Sequence, residues 1–84
     1  MDKKLELYGT TWCMKSAKLR NYMQSQWVEF DDYNVEEDSH AEFRVRALYD
    51  GELKFPTVKY GDEFLKNPSI AELSDFLLEN NFID

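Results

Sequence analysis

The sequence predicts an α/β domain built as a mixed four-stranded sheet with helices on both faces, in the order strand, helix, strand, helix, strand, strand, helix. Three observations predict it. A strand–helix–strand opening makes the first two strands parallel, because a crossover must return the chain to the same end of the sheet. Two short apolar-alternating runs separated by Gly61-Asp62 form an antiparallel hairpin. Finally, 84 residues without repeat, low-complexity tract or Ser/Gly linker suit one small domain over 1–84.

The elements follow in order. Residues 3–8 alternate in part, with Leu5 and Leu7 against Lys4 and Glu6, and stop at Gly9. A helix follows from Cys13 to Gln26, with Leu19, Tyr22, Met23 and Trp27 on one stripe. The second strand is expected over 28–35, Val28 and Phe30 facing one way. Tyr33 and Val35 then continue on the opposite parity, which implies a bulge or an end near Asp31. Glu36-Glu37-Asp38 reads as a solvated loop. Ser39-x-x-Glu42 has the form of a capping box, starting a helix with Phe43, Ala47 and Leu48 near one face and Gly51 as its stop. Thr57-Val58-Lys59-Tyr60 and Glu63-Phe64-Leu65 make the hairpin. The last helix has two competing starts, Asn67 with Pro68 or Ser69 with Glu72, and a buried face of Ile70, Leu73, Phe76 and Leu77.

Composition excludes several function classes. Ten basic against 17 acidic residues give a net charge of −7, unsuited to nucleic acid or an anionic membrane as main partner. No apolar run approaches the ~20 residues of a membrane span, and Met-Asp-Lys-Lys-Leu-Glu lacks the apolar stretch of a signal peptide, so a cytoplasmic location is expected. A single cysteine, Cys13, excludes an intrachain disulfide, and with the single His40 it cannot complete a four-ligand zinc site. Sulfur chemistry here requires something outside the polypeptide.

Cys13 lies in Thr10-Thr11-Trp12-Cys13-Met14-Lys15-Ser16, where the first strand hands over to the first helix. A helix start offers unpaired backbone N–H groups and the positive end of the helix dipole, both of which favour thiolate, the attacking species. Lys15 and Lys18 add positive charge, and Ser16 can donate a hydrogen bond from one turn on. The alternative is an inert thiol packed as a small hydrophobe; the strand-to-helix position favours a site. Trp12 either shields the sulfur, offers a flat contact to a partner, or packs in the core. His40, in a capping segment far along the chain, reads as a surface residue. No glycine loop for phosphate and no nucleophile–His–Asp set is present.

Leu5-Glu6-Leu7-Tyr8 followed by Cys13, Trp12-Cys13 itself, Phe55-Pro56-Thr57-Val58-Lys59 before the hairpin, and Asn67-Pro68-Ser69 before the last helix carry a resemblance over nearly the whole chain. The chain resembles glutaredoxins of the thioredoxin-like fold, βαβαββα, and most closely the mycoredoxin-like bacterial branch. The resemblance implies that Cys13 is the nucleophile, that Pro56 is a cis-proline beside the sulfur, and that the backbone of Phe55 pairs with the cysteinyl part of a bound thiol. It also puts Asn67 and Ser69 where a substrate's polar end is held, a role compatible with plain helix capping. From the residue alone, Pro56 would be read as trans.

Departures from the family shape the expected mechanism. Many members carry a second cysteine where this chain has Ser16, so an internal disulfide is excluded and a monothiol Cys-x-x-Ser route remains. Met14 and Lys15 replace the Gly-Phe of cluster-binding monothiol members. A lysine common three residues before the cysteine is Thr10 here, and Lys15 or Lys54 is the available substitute. The resemblance thus implies a monothiol thiol–disulfide oxidoreductase serving cell redox homeostasis. Its co-substrate is a low-molecular-weight thiol, glutathione or an equivalent, and no cofactor is bound covalently. Its partners are that small thiol and protein mixed disulfides, with no nucleic acid, no membrane, no metal, and a monomeric chain. The alternatives are a non-catalytic thioredoxin-fold binding or adaptor module and an iron–sulfur cluster carrier.

Overall fold

The structure, a computed structural model, describes residues 3–83. Its elements are β1 (Leu5–Gly9), α1 (Met14–Ser25), β2 (Asp31–Asn34), α2 (Ser39–Leu48), β3 (Thr57–Tyr60), β4 (Glu63–Lys66) and α3 (Ile70–Glu79). The four strands form one sheet in the order β2-β1-β3-β4. β1 pairs parallel with β2 and antiparallel with β3, and β3 pairs antiparallel with β4 around Gly61-Asp62. Gly61 has φ +64°, the left-handed conformation that a tight hairpin turn requires.

The alternation in β1 divides the core between two faces. Leu5 and Leu7 point to the side where Leu19 and Met23 of α1 meet Leu73, Phe76 and Leu77 of α3, together with Val58. Tyr8 points to the other side, where Val35 packs with Ala41 and Val45 of α2. Each fully buried Leu, Val or Met stabilises the fold by about 1.5–3 kcal/mol relative to exposure. β1 is therefore the wall that both layers share, and its C-terminal end is where α1 begins.

The second strand is shorter than residues 28–35, beginning only at Asp31. The Val28 N–H donates to the Met23 carbonyl at 3.1 Å, which ties this segment to the end of α1 rather than to β1. Val28 and Phe30 pack on the α1/α3 side, while Tyr33 and Val35 pack on the α2 side. The slip in parity marks a buried connector turning into a strand, with no bulge needed. Trp27 leaves the apolar stripe for a similar reason. The helix ends at Ser25, Trp27 takes φ +58°, and its ring is 93% exposed.

The second helix is capped by Asp38, one residue before the expected start. Its side chain accepts from the His40 and Ala41 N–H groups at 3.0 and 3.1 Å. Ser39 is thus the first helical residue. Glu42, free of capping duty, pairs with Arg46 one turn on. The buried face is also turned from the expected one: Ala41 and Val45, four residues apart, face the core, and Phe43 and Ala47 face solvent, because the layer takes the smaller side chains against Tyr8 and Val35. Beyond the helix, Asp50 and Gly51 both take positive φ, and the Gly51 N–H donates to the Arg46 carbonyl at 2.7 Å. For α3 the second start signal prevails. Ser69 and Glu72 form a reciprocal capping box, so Pro68 lies before the helix, and Ile70 is left partly exposed.

The two readings of the α2 start separate in solution. Asp38→Ala is expected to destabilise the protein by about 1 kcal/mol, the usual cost of a lost N-cap. Ser39→Ala is expected to stay within about 0.5 kcal/mol, as surface changes do. Urea unfolding followed by circular dichroism measures both.

Candidate active site

The Gly9-to-Ser16 segment is folded around two hydroxyl groups. The Thr10 hydroxyl accepts from the Cys13 N–H at 3.2 Å, and the Thr10 N–H is held by the Ser16 hydroxyl at 3.4 Å. Thr10 and Ser16 are both fully buried. These bonds close the loop back onto β1 and set Cys13 as the N-cap of α1, with extended backbone and a partly exposed side chain. Its Sγ accepts from the Ser16 N–H at 3.5 Å.

Electrostatics at the sulfur follow from that placement. Partial burial pushes the Cys13 thiol pKa up. The Ser16 hydroxyl, the Ser16 and Lys15 backbone N–H groups and the Lys15 ammonium oppose it and together leave the thiol below its ordinary value. Nearby, Glu72 is held below the usual carboxylate range by hydrogen bonds from the Ser69 backbone and hydroxyl. The α3 start is therefore already supplied with an anion, and the Ser69 N–H is already donated, to Glu72 at 3.0 Å.

Two other segments are drawn to the Cys13 loop, the one that holds Phe55 and Pro56 and the one before α3. The Phe55–Pro56 peptide bond is cis, and Pro56 is buried. The Trp12 ring meets the Phe55 ring edge-on, with centroids 5.8 Å apart and an interplanar angle of 85°. The Pro56 carbonyl accepts from the Asn67 N–H at 2.8 Å, and the Asn67 carbonyl accepts from the Lys15 ammonium at 3.4 Å. Asn67 thus links the cis-proline segment to the start of α1. Between α1 and α3 lies a groove of about 470 Å³ lined by Met14, Lys15, Lys18, Pro68, Ser69 and Ile70, with Leu19 at its base. A larger hollow at the opposite end of β1, lined by Lys3, Gln24, Val28 and Phe82 among others, lies away from the sulfur.

Of the residues singled out by sequence, Trp12, Cys13, Lys15 and Ser16 lie together. Phe55, Pro56 and Asn67 join them through these contacts, and Ser69 lines the groove. Trp12 is 64% exposed, which removes core packing as its role. Lys54 does not join, since its ammonium pairs with Glu52 at 3.3 Å and lies over the Tyr49 ring. His40 is exposed at the start of α2.

Two contributors escaped sequence reasoning. Thr10 registered only as an absent lysine, although a threonine three residues before a backbone N–H is a recognisable local bonding pattern. Glu36 lies in the stretch read as solvated loop, yet its carboxylate accepts from the Trp12 indole N–H, 24 residues away in sequence. No local signal announces a contact of that range.

A thiol at a helix start on a β2-β1-β3-β4 sheet, with a cis-proline leading into the strand next to β1, has the layout of a thioredoxin-like protein, and comparison with known proteins agrees. The glutaredoxin family model matches residues 5–65, and the chain belongs to the glutaredoxin family. It is similar to Mycoredoxin 1 of Corynebacterium glutamicum, with 34% identity over 68 residues covering 80% of this chain and 84% of the relative. Among solved structures, the thioredoxin-like protein BC3987 superposes with a TM-score of 0.78 at 24% identity, covering 88% of this chain and 100% of that one. The Archaeoglobus fulgidus glutaredoxin gives a TM-score of 0.73 at 14% identity, covering 88% and 85% respectively. A buckwheat glutaredoxin–glutathione complex gives 0.70 at 16% identity, covering 98% and 83%. These structural neighbours share the thioredoxin-like fold, and the family membership carries a thiol–disulfide redox function.

The site geometry has two measurable consequences. Alkylation of Cys13 by iodoacetamide is expected to show a pH midpoint below the ~8.5 of free cysteine. Because the depressed value reflects donors that favour thiolate, Ser16→Ala should move the midpoint upward. A wild-type midpoint at or above ~8.5 contradicts the donor arrangement. At the strand end, a Cβ on Gly9 would lie 2.3 Å from the Ser16 Oγ and 2.7 Å from its Cβ. Gly9→Ala is therefore expected to lower stability by about 1–3 kcal/mol, as overpacking does. Adding Ser16→Gly, which removes both clashing atoms, should recover part of that loss in the same urea titration.

Proposed function

We propose that the chain is a monothiol thiol–disulfide oxidoreductase that removes small-thiol caps from protein cysteines. The observation that supports it best is a lone, partly exposed sulfur at the N-cap of α1 whose surroundings favour thiolate. The Cys13 thiolate attacks the small-thiol sulfur of a protein mixed disulfide. A Cys13–small-thiol disulfide forms, and the protein leaves as thiolate and takes up a proton. A second small-thiol thiolate attacks the captured small thiol, forming the symmetrical small disulfide and returning Cys13 as thiolate. Net, one protein mixed disulfide and one small thiol give one protein thiol and one small disulfide.

The other residues take supporting roles in this reading. Ser16 holds the thiolate and, as the residue in place of a second cysteine, leaves the mixed disulfide open to outside attack. Pro56 and the Phe55 backbone border the sulfur and align the incoming disulfide. Trp12 walls the approach. Lys15 receives the polar parts of the substrate in the α1–α3 groove, with Ser69 lining it and Asn67 beside it as a further polar contact. Because the Ser69 N–H is already donated to Glu72, Lys15 and Lys18 are the cations left for an anionic substrate group there.

A small reporter protein carrying a glutathione mixed disulfide tests this, with reduced glutathione as second substrate and release followed by mass spectrometry. Wild-type protein is expected to turn over, and Cys13→Ser to lose activity at least ~10³-fold, as removal of a nucleophile does. Turnover that survives in Cys13→Ser, or no turnover by wild type with glutathione or other low-molecular-weight thiols, overturns the proposal. The second outcome would leave a binding module.

A further inference from the structure

Trp12 is a large ring that stands 64% exposed beside Cys13, on a segment outside helix and strand. Two contacts hold it. One is the edge-on contact with Phe55, the residue preceding Pro56. The other is the hydrogen bond from its indole N–H to the Glu36 carboxylate.

Glu36 is itself well anchored. Its N–H donates to the Asn34 side chain at 2.9 Å, and the Glu37 and Asp38 N–H groups donate to the Asn34 carbonyl at 3.1 and 2.9 Å. Asn34 pairs with Gly9 at the end of the parallel ladder, and the next residue, Val35, donates its N–H to the Gly9 carbonyl at 3.0 Å. Gly9 is also the residue from which the chain departs toward Cys13. Both ends of the Trp12–Glu36 bond are thus rooted at one point of the sheet, so the bond fixes the indole relative to the strand end that positions the sulfur.

We propose that Glu36 is a positioning residue that holds Trp12 as one wall of the approach to Cys13, and so sets how well a protein disulfide docks. This rests on the thiol-exchange reading above. The carboxylate acts through the indole and takes no part in activating the thiolate, so its removal is felt in docking and not in sulfur reactivity.

The test compares Glu36→Ala with Glu36→Gln, whose amide oxygen accepts the same hydrogen bond. In the mixed-disulfide assay, Glu36→Ala is expected to lower kcat/KM about fivefold, the weight of one exposed hydrogen bond, mainly through KM. Its iodoacetamide rate is expected to be unchanged, and Glu36→Gln to restore most of the loss. A second readout uses Trp27→Phe as background, so that Trp12 is the only indole. There Glu36→Ala should increase iodide quenching of Trp12 fluorescence, and Glu36→Gln should not. Unchanged quenching in Glu36→Ala overturns the proposal whatever the turnover assay shows. So does a Glu36→Gln variant as impaired as the alanine. Turnover that survives in Cys13→Ser instead overturns the thiol-exchange reading, and the quenching comparison still decides whether Glu36 positions the ring.

Discussion

The site depends on how closely α1 approaches the end of β1. Ser16, one turn into the helix, lies against Gly9 so tightly that no side chain fits between them. Its hydroxyl is the acceptor for the Thr10 backbone. That single packing contact brings the first turn of α1 to the strand end and closes the loop, leaving Cys13 where its Sγ meets the Ser16 N–H. A larger residue at either position would push the helix away and loosen every donor that favours the thiolate. The serine in place of a second cysteine is thus more than an absence, since its oxygen has its own bonding duty inside the fold.

Around this junction the sheet supplies order that no single loop could. β1 pairs on both sides, and its alternate residues feed two separate layers, so its C-terminal end is held from four directions. The cis-proline segment enters through β3, the neighbour of β1. The start of α3 enters through the backbone bond between Pro56 and Asn67. The three segments around the sulfur come from distant parts of the sequence and meet because the strand order β2-β1-β3-β4 brings them to one end.

Much of this arrangement can be read from the chain. Leu5 and Leu7 and the Gly61-Asp62 turn are local signals that give their elements directly, whereas the Ser69–Glu72 capping box competes in sequence with Asn67-Pro68 and is singled out only by the structure. Cys13 stands out because its position between strand and helix has a physical meaning independent of its neighbours. Less legible are features decided by competition or by distance. Asp38 and Ser39 are adjacent residues of equal capping strength, and the Ser39-x-x-Glu42 pattern does not separate them. Val28 and Phe30 resemble strand residues because a buried connector is as apolar as a strand. Trp12–Glu36 and Lys15–Asn67 join residues 24 and 52 positions apart, and nothing in either neighbourhood specifies its partner.

The division of the core has a further consequence. Among the described residues, the core cluster beneath α2 has four buried members, Tyr8, Val35, Ala41 and Val45, with partly buried side chains packed on them, whereas the opposite cluster has nine and binds α1 to α3. Cooperative units with less buried surface open more readily, so α2 is the element expected to open first. Its backbone amides should then trade their protons with water sooner than those of α1. The thiol is anchored on the thicker side, at the start of α1, so an opening confined to α2 would leave its setting in place.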